Sequence, residues 1–349
     1  MAKPARMTAN AERPTLPVDF ALQGGGSHGA FTWGVLDRML EEPWLKIEGI
    51  SGTSAGAMNA AILVSGYVKG GAEGARGALD AYWREVAKAG RMSPLQRSPL
   101  DRMMNRWTLD GSPAYLAMDV ISRLVSPYTL NPFGVNPLRD IVVQAVDFEA
   151  LALAPIKLFI TATNVHTGRG RIFRNVEITP DVLLASACLP TMFQAIEIDG
   201  VPYWDGGYAG NPTLTPLVRE SEANDVILVQ INPRERKETP RTASDIVNRL
   251  NEISFNSPLM KELRMIALLR QAADPGKGEG ARWASMLTHR IWTDKLDGLG
   301  ASSKLNAEWD FFAMLKEEGR RAAQGFLDAH IDNLGKVCTA DLDVLLQEC

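Results

Sequence analysis

Gly52-Thr53-Ser54-Ala55-Gly56 places a serine between two glycines, after an apolar run and before a run of good helix formers. Residues 47–51 predict a strand and residues 55–64 predict a helix. A strand, a sharp turn and a helix are the setting of a nucleophile elbow. Because the glycines avoid steric clashes at the turn, the Ser54 hydroxyl is expected to be exposed at the helix N-terminus. The alternative for the pentapeptide alone is a Gly/Ser-rich loop.

A second strand–glycine–helix unit precedes this one. Gln23-Gly24-Gly25-Gly26-Ser27-His28-Gly29 lies between a predicted strand over residues 18–22 and a predicted helix over residues 30–40. Three glycines leave backbone N–H groups unshielded, and the following helix adds partial positive charge, which suits a developing oxyanion. The stretch has neither the Lys-Ser/Thr ending of a P-loop nor the GxGxxG spacing, so nucleotide binding is disfavoured.

The third motif, Asp205-Gly206-Gly207, directly follows a hairpin predicted over residues 196–204. An aspartate before two glycines at a strand end is accessible yet locally rigid, as a catalytic base must be. An ordinary turn aspartate is the alternative for this motif alone.

In this order along the chain, the three motifs resemble those of the patatin-like phospholipases of the bacterial type. Residues 24–29 match the glycine-rich oxyanion loop of that family, residues 52–56 its GxSxG serine, and residues 205–207 its Asp-Gly-Gly/Ala motif. Residues 186–190 also resemble the family's segment before the aspartate. The likeness extends over residues 16–232.

The resemblance implies a lipid acyl hydrolase of the phospholipase A or lysophospholipase type. Ser54 and Asp205 would form a catalytic dyad, and Gly24, Gly25 and Gly26 would form the oxyanion hole. The dyad needs no metal and no cofactor. An ordinary aspartate, with a pKa of about 3.9, is a weak base for a serine, so burial of the carboxylate is expected to raise its pKa.

His28 departs from the family pattern, in which many members carry Arg or Lys at this position of the loop. Its charge depends on pH, so a fixed cationic contact is not expected. We predict that His28 contacts the substrate headgroup or positions the loop.

The alternation of strands and helices predicts an α/β fold, a three-layer sandwich with a mostly parallel central sheet flanked by helices. A disordered leader is predicted over residues 1–15 and the catalytic domain over residues 16–232. Within that domain, residues 84–137 are predicted to form a helical cap or lid. Residues 233–349 are predicted to form a helical C-terminal region packed on the catalytic domain. A glycine-rich loop is expected over residues 66–77.

The chain of 349 residues carries a net charge of −4 and no long basic block, so nucleic acid is excluded as a partner. The scattered cysteines 188, 338 and 349 form neither a disulfide framework nor a metal site, which predicts a reducing, cytoplasmic location. The N-terminus has no apolar core of a secretion signal. Nothing in the sequence indicates an oligomeric state.

Residues 84–107 contain six basic residues against two acidic ones, in a protein that is acidic overall. Leu100, Met103, Met104 and Trp107 recur at helical spacing. Such a helix can lie peripherally on an anionic membrane or cover the active site. The alternative is a helix packed on the core with its arginines outside.

Three functional alternatives remain open at this stage. A Ser-His-Asp triad would require His289 or His330, neither of which has a telling local motif. An acyl-CoA thioesterase or general esterase would use the same residues with a different leaving group. A non-catalytic lipid-binding or interaction protein would keep the elbow as a scaffold.

Overall fold

The computed structural model of the protein describes residues 13–236, 238–272, 276–342 and 344. The predicted leader therefore lies outside the described residues except for residues 13–15, and Cys349 also lies outside them. The strands of the described residues are β1 (Leu16–Leu22), β2 (Leu45–Gly52), β3 (Lys157–Asn164), β4 (Gly170–Arg174), β5 (Ile196–Ile198), β6 (Val201–Asp205), β7 (Asp225–Val229) and β8 (Leu287–Ile291).

Helices separate and follow these strands along the chain. They are α1 (Gly29–Met39), α2 (Ala55–Gly90), α3 (Pro99–Met103), α4 (Pro113–Leu124), α5 (Pro127–Leu130), α6 (Leu138–Ala145), α7 (Phe148–Ala152), α8 (Pro180–Ser186), α9 (Thr215–Glu220), α10 (Ala243–Gln271), α11 (Glu279–Ser285) and α12 (Trp309–His330). Short 3-10 helices span Gly26–His28, Asn175–Glu177, Gly206–Tyr208, Asp294–Leu296 and Ala301–Leu305.

The strands form one sheet in the order β5-β6-β3-β2-β1-β7-β8, with β4 paired to β3. The central pairings β3–β2, β2–β1, β1–β7 and β7–β8 are parallel. The pairings of β3 with β4, of β3 with β6 and of β5 with β6 are antiparallel. The predicted mostly parallel sheet is therefore correct at its centre, and hairpin strands complete one side.

The pairing of β3 brings two distant parts of the chain together. Ala162 pairs with Arg171 of β4 and also with Asp205 of β6, so β4 and β6 lie on opposite edges of β3. β2 ends where Gly52 pairs with Ile160, on the edge that β6 then continues. Asp205 consequently lies just beyond the end of β2, where the predicted elbow begins.

Both faces of the sheet are covered by helices. On one face α1, α2 and α12 pack against apolar side chains such as Phe20 and Ile227. On the other face α9, α10 and α11 pack against side chains such as Val226 and Leu228. The predicted three-layer sandwich is confirmed.

The predicted glycine-rich loop at residues 66–77 is wrong, because these residues belong to α2. Only Gly70 and Gly71 leave helical geometry, and Gly71 has a φ of 59°. A Cβ added at Gly66 would lie 2.6 Å from the carbonyl oxygen of Gly74, so α2 turns back on itself as two packed segments. Gly66 and Gly74 allow this close helix packing and are not loop residues.

The C-terminal residues contribute more than helices. β8 adds an edge strand to the sheet, which the sequence analysis did not predict. His289, one of the two histidines considered for a triad, is buried in this strand. α12 packs along α1, and its Phe311 and Phe312 are part of the main core.

Candidate active site

The turn between β2 and α2 has the geometry of a nucleophile elbow. Ser54 has a φ of 55°, a left-handed conformation that is unusual for a residue other than glycine. A Cβ at Gly56 would overlap the carbonyl oxygen of Leu22, and one at Gly52 would lie 2.7 Å from the carbonyl oxygen of Gly56. The two glycines are therefore required by close backbone packing, and they hold Ser54 partly exposed at the start of α2.

Hydrogen bonds from other elements fix the elbow in place. The Ser54 amide donates to Ser186 Oγ at 2.9 Å, and the Ser186 hydroxyl donates to the Thr161 carbonyl oxygen at 2.7 Å. The neighbouring Thr53 hydroxyl donates to the Gly210 carbonyl oxygen at 2.7 Å. These contacts join α8, β3 and the loop after Asp205 to the elbow. The position of Ser54 therefore depends on three segments that are distant from it in sequence.

Asp205 is brought to Ser54 by the strand arrangement described above, and it is only 2% exposed. Its Oδ1 accepts a hydrogen bond from the Gly207 amide at 2.7 Å. Burial raises the pKa of Asp205 from 3.8 to about 7, although the Gly207 amide, the Ser54 side chain and the charge of Lys304 each act to lower it. A carboxyl with this pKa is a stronger base than an ordinary aspartate and can accept a proton from the adjacent hydroxyl.

The glycine loop lies against the serine, as expected for neighbouring parallel strands. A Cβ at Gly24 would lie 2.6 Å from Ser54 Cβ. The Gly24 amide, however, donates to Asn211 Oδ1 at 2.7 Å, so it is not available to an oxyanion, and the prediction for Gly24 is corrected. The amides of Gly25 and Gly26 donate to no acceptor among the described residues.

Of the two roles predicted for His28, contact with the substrate headgroup is wrong, because its ring is buried. Nε2 bonds to Ser303 Oγ at 2.7 Å, and the ring packs edge-on against Phe311. Since the Ser303 hydroxyl itself donates to the Gly300 carbonyl oxygen, His28 Nε2 carries the proton. Burial holds the His28 pKa well below its usual range. His28 is therefore a neutral side chain that joins the glycine loop to the C-terminal residues.

Three polar residues near the loop were missed by the sequence analysis. Asn211 holds the Gly24 amide, and Asn232 Nδ2 donates to the Gly24 carbonyl oxygen at 2.7 Å. Lys304 Nζ donates to Asn232 Oδ1 at 2.8 Å, and its pKa is lowered by burial. Asn211 follows the Asp-Gly-Gly motif closely and could have been noticed. Lys304 lies about one hundred residues further along the chain, with no local motif to indicate it.

The histidine alternatives find no support in the geometry. His289 bonds to Asp225 and Thr339, and His330 lies near Asn333, so neither is positioned as a base for Ser54. Within the described ranges, no group of three or more His, Cys, Asp or Glu side chains is arranged to hold a metal ion. The described helices include none that is both long and apolar enough to cross a bilayer.

Comparison with known structures gives remote relatives. VipD from Legionella pneumophila aligns over 91% of this chain and 67% of its own, with 15% identity and a TM-score of 0.42. The type III effector protein ExoU aligns over 91% of this chain and 53% of its own, with 15% identity and a TM-score of 0.33. ExoU of the Pseudomonas aeruginosa type III secretion system, in complex with SpcU, gives 17% identity and a TM-score of 0.31. The chain thus spans about half the length of ExoU.

Comparison with curated proteins gave no match. The family model described as patatin-like phospholipase, in contrast, matches residues 20–218, which is more than half of the chain and includes all three motifs. The chain therefore belongs to the patatin-like phospholipase family.

Proposed function

We propose that this protein is a lipid acyl hydrolase that cleaves carboxylic esters, with Ser54 as nucleophile and Asp205 as general base. The observation that carries the proposal is the partly exposed Ser54 hydroxyl beside a buried carboxyl whose pKa is about 7. The Gly25 and Gly26 amides support it further, because they follow Gly24 in the loop that lies against the serine and donate to no acceptor among the described residues. Membership of the patatin-like phospholipase family supports a lipid substrate.

In the first half of the reaction, Ser54 Oγ attacks the ester carbonyl carbon while Asp205 accepts the hydroxyl proton. The carbonyl oxygen becomes an oxyanion that accepts hydrogen bonds from the Gly25 and Gly26 amides. Each such donor contributes on the order of 3 kcal/mol to transition-state stabilisation in comparable hydrolases. The bond to the leaving alcohol then breaks, Asp205 returns the proton to that alcohol, and an acyl-enzyme remains.

In the second half, water attacks the acyl carbonyl and gives its proton to Asp205. The bond to Ser54 Oγ breaks, the serine regains a proton from Asp205, and the fatty acid leaves. The same carboxyl therefore acts as base and acid in each half of the reaction, which requires a pKa near the working pH.

Release of fatty acid from a lipid panel tests this proposal. Phospholipids, lysophospholipids, neutral glycerides and acyl-CoA are supplied to the wild type and to Ser54→Ala and Asp205→Asn. Both variants are expected to lose activity by at least about 10³-fold, because each residue takes part directly in bond making or proton transfer. Asp199→Asn, an exposed aspartate in the hairpin turn, is the matched control and should retain full activity.

Labelling by a fluorophosphonate separates catalysis from simple binding. Wild-type protein should be labelled at Ser54. A folded protein that shows neither labelling nor turnover would contradict the proposal and favour a lipid-binding role. A preference for acyl-CoA over every oxygen ester in the panel would identify a thioesterase instead.

We also propose that residues 92–135, named the cap here, contact a lipid surface. Twelve of the 26 large apolar side chains that are exposed in the described part of the chain lie in this short segment. Phe133 is 91% exposed and Leu124 is 79% exposed. Exposed arginines accompany them, as anionic lipids would require. The packed amphipathic helix considered for residues 100–107 is not found, because Leu100, Met103 and Met104 are all exposed.

The cap adjoins both sides of the candidate active site. Gln194, on the segment leading to β5, donates to the Asn131 carbonyl oxygen at 2.6 Å. On the other side, Asn306 donates to the Trp107 carbonyl oxygen at 3.0 Å, two residues beyond Lys304. A membrane contacted by the cap would thus lie close to Ser54, where a lipid ester must arrive.

A further inference from the structure

A cavity of about 390 Å³ lies between the edge of the sheet and α10, and neither Ser54 nor Asp205 lines it. In the parallel pairing of β7 with β8, Val226 lies opposite Thr288 and Leu228 lies opposite Arg290. Side chains two residues apart on a strand share a face, so Thr288 and Arg290 point to the same side. The volume is typical of small-molecule sites, and ligands of α/β folds bind at the carboxyl ends of parallel strands.

The wall opposite β8 is apolar. α10 contributes Leu259, Met260 and Leu263 to the cavity lining, at a spacing that places them on neighbouring positions of one helix face. Methionine adapts to tails of different shape. An occupant with a hydrocarbon part would therefore be accommodated on this side.

The Arg290 guanidinium has no hydrogen bond and no ion pair with any described residue. It lies over the Trp292 ring, whose centroid is 4.4 Å from Arg290 Cζ. Burial lowers the pKa of Arg290 to about 10, with a smaller contribution from Arg234, while the charges of Asp297 and Glu235 act to raise it. The guanidinium thus lines the cavity with N–H donors that no described side chain accepts, and an anion in the cavity would satisfy them.

Thr288 provides a second unsatisfied group on the same face. Its side chain is 1% exposed, and Oγ1 has no hydrogen-bond partner within the described ranges. A buried hydroxyl without a partner is uncommon in a folded protein. Together, Thr288 and Arg290 present donors to one end of the cavity.

The charges around the cavity favour a monovalent anion. Arg234 adds a second cation, while Glu235 and Asp341 also line the cavity and oppose a highly charged ligand. A carboxylate carries one negative charge and matches the guanidinium in a bidentate geometry. A phosphate dianion would meet stronger repulsion.

We propose that this cavity binds an amphiphilic carboxylate such as a fatty acid. The carboxylate accepts hydrogen bonds from Arg290 and Thr288, and the tail lies against the apolar face of α10. The site does not depend on the proposed hydrolase activity, although a fatty acid is also the product of that reaction. Gln23 and Asn256 line the cavity and bond to each other, which connects the site to the glycine loop.

Titration of the full-length protein with decanoate, followed by calorimetry and tryptophan fluorescence, tests the proposal. Decanoate is expected to bind to one site. Decanol, which lacks the carboxylate, and acetate, which lacks the hydrocarbon tail, should each bind at least about tenfold more weakly. Decyl phosphate should bind more weakly than decanoate. Failure of decanoate to bind, or decanol or decyl phosphate binding as tightly, would overturn the proposal.

Three variants locate the binding site. Arg290→Gln should weaken decanoate binding by about tenfold or more, since it removes a charge-assisted hydrogen bond. Thr288→Val, which keeps the side-chain shape, should weaken binding severalfold and carries the test if Arg290→Gln does not fold. Arg169→Gln is the control, because Arg169 is exposed and does not line the cavity; this variant should bind decanoate as the wild type does. Unchanged affinity in the folded variants at both Arg290 and Thr288 would refute the site, whatever the outcome of the lipid hydrolysis panel.

Discussion

In the proposed mechanism, the ionisation of one buried carboxyl sets the pH range in which Ser54 is activated. Asp205 accepts a proton only in its ionised form, and its pKa is about 7 because burial disfavours the charge. Lys304, which bonds to Asn232 beside the glycine loop, opposes this effect with its own charge. The pH dependence of activity is therefore expected to report the balance between desolvation, which raises the pKa of Asp205, and the Gly207 amide, the Ser54 side chain and the Lys304 charge, which lower it.

We expect kcat/KM to fall tenfold per pH unit below about pH 7, as Asp205 becomes protonated. In Lys304→Gln, which keeps a hydrogen-bond donor but removes the charge, the acidic limb should move to higher pH by up to about one unit. The sign follows from Coulomb's law, because losing a nearby cation makes the carboxylate less favourable. A pH profile of ester hydrolysis for both proteins measures the shift.

Lys295→Gln is the control for this experiment, because Lys295 is paired with Glu318 away from the dyad. Its acidic limb should coincide with that of the wild type. An acidic limb of Lys304→Gln that moves to lower pH, or that does not move at all, would contradict the assigned role of Asp205 as the base.

At the scale of elements, the crossing of α1 and α12 depends on two glycines. A Cβ at Gly34 of α1 would overlap the carbonyl oxygen of Lys316, and one at Gly319 of α12 would overlap the carbonyl oxygen of Phe31. The two helix backbones therefore approach more closely than any side chain allows. This packing attaches the C-terminal helix to the helix that follows the glycine loop.

Gly319→Ala is expected to destabilise the protein by about 1–3 kcal/mol, because the added methyl group forces the two helices apart. Gly325→Ala is the matched control in the same helix, where nothing lies within 4 Å of an added Cβ. This change should stabilise the protein by about 0.5–1 kcal/mol, since alanine restricts the unfolded chain more than glycine does. Urea unfolding of both variants gives the comparison, and equal effects would argue against the tight crossing.

At the scale of the whole molecule, the proposed lipid contact depends on the exposed apolar side chains concentrated in the cap. Replacing Phe133 and Leu124 by aspartate should reduce binding to vesicles of phosphatidylglycerol and phosphatidylcholine by at least about tenfold. Burial of each of these side chains in lipid contributes on the order of 1.5–3 kcal/mol. Vesicle sedimentation measures the binding.

Hydrolysis of a soluble short-chain ester should be unchanged in this double variant, because the cap does not supply the reactive groups. Val176→Asp, an exposed apolar position outside the cap, serves as the control and should leave vesicle binding intact. Equal loss of binding in the control and the cap variant would show that the cap is not the contact surface.

The local sequence determined the fold class, the family and the identity of the candidate dyad. The glycines around Ser54 and after Asp205 predict the turns at these residues, because a turn depends on only a few neighbouring residues. Strands β1 and β2 were predictable for a related reason, since strands buried between two helical layers are rich in apolar residues.

Only the tertiary structure decided which groups surround the dyad. β8 is short and polar in sequence, and it becomes a strand because β7 offers an edge and α12 packs against it, with Phe326 on the His289 ring. His28 is neutral and buried because C-terminal residues pack over it. Gly24 lost its predicted role because Asn211 reaches its amide, and Lys304 arrives from about one hundred residues beyond Asp205. Burial, hydrogen-bond partners and pKa values depend on neighbours in space, and spacing along the chain does not encode them.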